Sequence, residues 1–106
     1  MPLVGRRVAD GGGTAGYRLV RGRLRRAWQS SAAGTSPVVA GGLLYVYDPR
    51  GKLRIYRPTS GRAVASLAAG SGHWNSPIVS GGIVALPEGD ANDHRQTGVL
   101  DLYRLP

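Results

Sequence analysis

At 106 residues, with 17 Gly and 7 Pro, the chain has the size of one modest domain and too many turn formers for a helical bundle. It has no Cys, which excludes a disulfide framework, a thiolate metal site and a cysteine nucleophile, and no Phe, so aromatic packing rests on Tyr and Trp. The formal charge of +8 comes from 14 basic residues, all arginine except Lys52.

Seven of those arginines precede Trp28, which concentrates the positive field at one end. In an extended "RGRLRR", residues 21–26, Arg21, Arg23 and Arg25 are expected on one side, and Leu24 and Arg26 on the other with Trp28. Such a field attracts phosphate or an anionic surface. No aromatic platform or recognition helix accompanies it, so an arginine-driven nucleic-acid or anionic-surface binder is a rival reading, not the favoured one. Upstream, "GGGTAG" at 11–16 fits G-x-G-x-x-G, but an alternating segment follows it instead of a helix, and no acidic residue falls between Asp10 and Asp48. A dinucleotide site is therefore rejected, because the motif works only where a helix N-terminus faces the pyrophosphate.

From residue 36 onward the pattern is strand and turn. "SPVVA" and "LLYVYD" are β-branched and aromatic runs joined by Gly41-Gly42, a pair suited to a primed hairpin turn. "DPRG" at 48–51 carries a type I turn signature and leads into "KLRIYR", where polar and apolar residues alternate. "PTSGR" turns the chain again into "AVASLA". Four short strands reached by tight turns predict an antiparallel meander of the kind that forms one propeller blade. The meander recurs: "SPVVAGG" at 36–42 returns as "SPIVSGG" at 76–82, a period of 40, and Tyr-Arg pairs stand at 17, 56 and 103.

The expected fold is thus all-β, an incomplete β-propeller of consecutive four-stranded antiparallel meander blades. Residues 1–28 make a partial blade, 34–69 a full blade and 72–106 a second partial blade. The chain then starts and stops in mid-blade, as the C-terminal portion of a longer ancestral chain or a reading frame begun internally would. The open blade edges predict self-association. The longest apolar stretch, "PVVAGGLLYVY", is about half of a membrane span, and "MPLVGRRVADGGG" lacks the apolar core of a signal peptide.

Residues 34–67, "GTSPVVAGGLLYVYDPRGKLRIYRPTSGRAVASL", resemble the repeat of the quinoprotein-like (PQQ-like) β-propeller family, and Trp28 stands where such repeats place the docking tryptophan of their last strand. The second unit departs from the family pattern, with Arg57 for its Asp, Ser60 for its Thr, and Ala65 or Leu67 near the missing Trp. The resemblance implies either a quinoprotein dehydrogenase, which binds pyrroloquinoline quinone and calcium, or a noncatalytic scaffold that presents loops and edges to other proteins. It also suggests an exported or periplasmic setting. The enzymes commonly use a pair of adjacent cysteines and a full ring of blades, so the expectation here is a noncatalytic scaffold for protein or ligand binding, with no cofactor and with other blades, another protein or a second copy as partner. A fragment of a dehydrogenase is the alternative.

The remaining candidates for chemistry flank the third unit. His73, Trp74 and Asn75 precede its first strand, and Glu88, Asp90, Asn92, Asp93 and His94 follow its second. A hairpin reverses direction, so both groups are expected at one end of the sheet. There they would form a rim for a polar ligand, or for calcium with Asp90 and Asp93 as the contacts. The plain alternative is a polar loop whose Asn and Asp residues hold their own turns. The segment replaces a tight turn and carries three of the six acidic residues, in Glu88, Asp90 and Asp93.

Overall fold

A computed structural model describes residues 2–7, 13–35, 37–72, 76–89 and 98–104, and these form ten strands with no helix among them. Strands β1 (Pro2–Arg7), β2 (Gly13–Val20) and β3 (Arg23–Ser30) make one antiparallel sheet. A second, four-stranded sheet contains β4 (Val38–Ala40), β5 (Leu43–Asp48), β6 (Lys52–Tyr56) and β7 (Ala63–Ala68). The third contains β8 (Ile78–Ser80), β9 (Ile83–Glu88) and β10 (Val99–Arg104). The expectation of an all-β chain built from antiparallel meanders holds. Among the described residues no helix is long and apolar enough to cross a membrane.

The turns follow from their residues. Gly41-Gly42 and Gly81-Gly82 have φ of 57° and 78°, and of 57° and 77°, the positive pair that a tight hairpin turn of the primed type needs. Arg21-Gly22 makes the same turn between β2 and β3 with φ of 51° and 76°. The Asp48 to Gly51 turn is closed by Gly51 N–H donating to Asp48 O at 2.9 Å, while Arg50 N–H donates to the Asp48 carboxylate at 3.0 Å.

Sheet 2 lies between the other two, which explains its sequence. In "LLYVYD" nearly every side chain is buried because alternate residues meet different neighbours. Tyr45, Tyr47, Leu53 and Ile55 share one face by register and pack with Val84 and Leu86 of sheet 3. Leu44, Val46 and Tyr56 share the other and pack with Trp28 of sheet 1. Each fully buried side chain of this size stabilises the fold by about 1.5 to 3 kcal/mol relative to leaving it in water.

Trp28 is the contact residue between sheets 1 and 2. Its ring stacks on Tyr56, with centroids 6.0 Å apart at 30°, and its Nε1–H donates to Pro58 O at 2.7 Å. Any Cβ on Gly16 or Gly61 would collide with the indole, so two glycines make the slot that it fills. Its orientation differs from the expectation. Trp28 pairs with Gly16 but Arg26 with Tyr17, so β3 holds one extra residue at Ala27, a bulge. That bulge moves Trp28 to the Gly16 face, shared with Arg18 and Arg25, and leaves Leu24 and Arg26 on the opposite one. Arg21 lies in the turn itself. The same bulge recurs in β7 at Val64, where Ala65 pairs with Ile55, so Ala65 holds the register position of Trp28.

Two sheet faces remain open. On sheet 3, Ile78, Ile83, Leu100 and Leu102 point away from sheet 2 and are between 44% and 65% exposed. On sheet 1, Leu19 and Leu24 form a cross-strand pair pointing away from sheet 2, and they are 54% and 57% exposed.

Candidate functional site

Of the residues expected to form a rim, Glu88 is described. His73, Trp74, Asn75, Asp90, Asn92, Asp93 and His94 lie outside the described residues. Around Glu88, the backbone brings two segments together: Gly72 and Gly89 form a parallel β-bridge, so the approach to β8 runs beside the exit from β9.

Glu88 ends β9 and is only 7% exposed. Its carboxylate lies so close to Gly70 that no side chain would fit there, and it accepts a hydrogen bond from the Gly70 N–H. The Gly70 carbonyl in turn accepts from the Tyr47 hydroxyl at 2.6 Å, which ties this corner to the core of sheet 2. Beside Glu88 the chain opens into a cleft of about 360 Å³ lined by Gly70, Ser71, Glu88, Gly89, Gly98 and Val99.

The neighbour that sequence reasoning missed is Asp101. It pairs with Leu86, while Glu88 pairs with Val99, so the two acids are diagonal neighbours on one face. The Tyr103 hydroxyl donates to Ala68 O at 2.9 Å and sits 3.4 Å from the Asp101 carboxylate. Glu88 Oε1 is buried, and among the described residues no donor reaches it. Burial pushes the Glu88 carboxyl above its ordinary range; the hydrogen bond with Asp101 adds to this, the Gly70 N–H opposes it, and the Asp101 charge adds again. Burial, then the charges of Glu88 and Asp48, then Tyr103 push the Tyr47 hydroxyl up to about 12. Tyr103 is raised as well, by burial first and then by Asp101 and Glu88.

Sheet 2 shows what this position normally holds. Asp48 ends β5 as Glu88 ends β9, and Arg54 pairs with Val46 as Asp101 pairs with Leu86. Asp48 is buried and bridged by Arg54 at 2.9 Å and Arg50 at 3.1 Å, and Arg54 also donates to Ala33 O at 3.3 Å. Burial alone would raise the Asp48 carboxyl, but the hydrogen bonds from Arg50 and Arg54 overcome it and hold the group at about 2. In sheet 3 an acid stands where the arginine stands in sheet 2. Where sheet 2 has an ion pair, sheet 3 has two carboxyl groups, an arrangement that disfavours the charged form of Glu88. The signal was present in the sequence, since aligning Tyr103 with Tyr56 sets Asp101 on Arg54.

No protein-family model and no curated protein sequence matches the chain.

Proposed function

We propose that the chain is a noncatalytic scaffold of the PQQ-like kind, an incomplete propeller with the three sheets as blades, which works by binding another protein across its open faces. The partner it fits is a second copy of itself, docked head to tail.

The repeat carries this reading. Ile83, Ala85 and Pro87 stand 40 residues after Leu43, Tyr45 and Tyr47, on the face of sheet 2 that sheet 3 covers. Tyr17 stands 39 residues before Tyr56, on the face of sheet 2 that Trp28 of sheet 1 covers. The free face of sheet 3 is thus built to be followed, and the free face of sheet 1 to be preceded. One chain holds both halves of a heterologous interface, which closes into a ring if the rotation allows and otherwise continues as a filament. Apolar surface left open on both outer sheets supplies the driving force.

Sedimentation velocity tests this directly. Wild-type protein is expected to associate with rising concentration, and Leu100→Asp and Leu24→Asp are each expected to weaken association, since both side chains are exposed and the substitutions leave the core intact. Mixing the two variants restores one sound interface, because Leu24→Asp keeps its sheet 3 face and Leu100→Asp its sheet 1 face. A monomeric wild type would overturn the proposal. An association that ignores Leu24→Asp would replace it with a symmetric pairing of sheet 3 faces.

A further inference from the structure

We propose that the cleft beside Glu88 and Asp101 is a receptor for a guanidinium group, which takes the place held by the Arg54 side chain in sheet 2. The inference goes beyond the assembly proposed above and does not depend on it.

Three observations converge. The carboxyl pair occupies the register positions of the Asp48–Arg54 ion pair, so the backbone already presents an acid at the spacing that a guanidinium spans in the neighbouring sheet. Glu88 Oε1 is buried and, among the described residues, lacks a donor, which is the group a planar N–H fork would satisfy. The cleft of about 360 Å³ has glycine on several sides and is lined by Glu88, which gives an entering group an approach to that residue. Both carboxylates then accept charge-assisted hydrogen bonds, which are shorter and stronger than neutral ones.

Proton balance follows. Without a ligand, burial and the neighbouring Asp101 favour the protonated form of Glu88. A guanidinium, which keeps its own charge, favours the ionised carboxylate and so displaces the Glu88 proton to solvent. Among the described residues, Tyr47 from β5 and Tyr103 from β10 are the other titratable groups at the site, and both stay protonated through neutral pH.

The guanidinium has two sources, a small free ligand or an arginine side chain of a partner, and two probes separate them. Agmatine, a guanidinium on an alkyl chain, and a blocked Gly-Arg-Gly peptide would be titrated into the full chain by calorimetry in two buffers of different ionisation enthalpy. Binding with a dissociation constant of about 0.1 to 1 mM, with release of a fraction of a proton that grows as the pH falls through the Glu88 titration, is expected. Tighter binding of agmatine assigns a free ligand, and tighter binding of the peptide a partner's arginine. Glu88→Gln should weaken either probe at least tenfold.

Asp101→Arg provides the control against simple misfolding. It rebuilds the arrangement of sheet 2, so it should raise the melting temperature and abolish binding together. Loss of stability in Asp101→Arg, unchanged binding in Glu88→Gln, or calcium binding that agmatine fails to displace would each overturn the inference. A monomer that binds agmatine would sink the assembly alone, and an oligomer indifferent to both probes would sink the cleft alone.

Discussion

Trp28 carries much of the docking of sheet 1 on sheet 2, because it fills a slot that Gly16 and Gly61 leave open and stacks on Tyr56. Trp28→Ala is expected to cost about 3 kcal/mol, the lower end of the usual range since the ring is half-buried, as a fall in urea midpoint. Its importance was legible in the sequence as a lone Trp in a strand ending one unit; its partner glycines were not. The two buried acids have opposite pH signatures. Asp48 is held at about 2 against an ordinary 3.8, so its contribution is present above pH 3.8 and lost as the pH falls towards 2; on the order of 1 to 2 kcal/mol is at stake. Glu88 is raised above 4.5, so its contribution is present below pH 4.5 and lost as the pH rises through the raised value. Thermal melts between pH 2 and 8 should show Asp48→Asn flattening the acid limb, and Glu88→Gln flattening the neutral one with a higher melting point at pH 7.

At the scale of the element, turns and strands are nearly independent choices. Gly41-Gly42, Gly81-Gly82 and Arg21-Gly22 adopt almost the same φ values, yet only Arg21 carries a Cβ at positive φ among the described residues. Arg21→Asn is therefore expected to stabilise by about 0.5 to 1 kcal/mol, seen as a higher urea midpoint at unchanged slope. The turns were legible because Gly-Gly and Asp-Pro-x-Gly encode their dihedrals locally. The bulges at Ala27 and Val64 were not, since no residue type marks them. Each follows from pairing two strands whose turns and packed faces demand different registers, with one residue left over.

For the whole molecule, sheet 2 is buried on both faces and the outer sheets on one, so the assembly proposed above ties stability to protein concentration. Above the dissociation constant, each tenfold rise in protein concentration should add about 1.4 kcal/mol and raise the melting temperature by several degrees. The charge of +8 opposes this association, so moderate salt should strengthen it by screening copies from one another. Melting curves over a hundredfold concentration range, at low and moderate salt, check both expectations together; a concentration-independent melt would count against the assembly.

The sequence by itself determined the strands, the tight turns and the period that relates the three meanders, because alternation of period two and glycine pairs act within a few residues. It also marked Glu88 as a residue to watch. What only the tertiary structure decided is which groups meet. A side chain's face is set by strand register, and one bulge reverses it, so Trp28 reaches sheet 2 from the side opposite to that of Leu24 and Arg26. Asp101 meets Glu88 because β9 and β10 pair across a connection longer than the turn in sheet 2, and register, not proximity along the chain, sets an acid where the previous sheet sets an arginine.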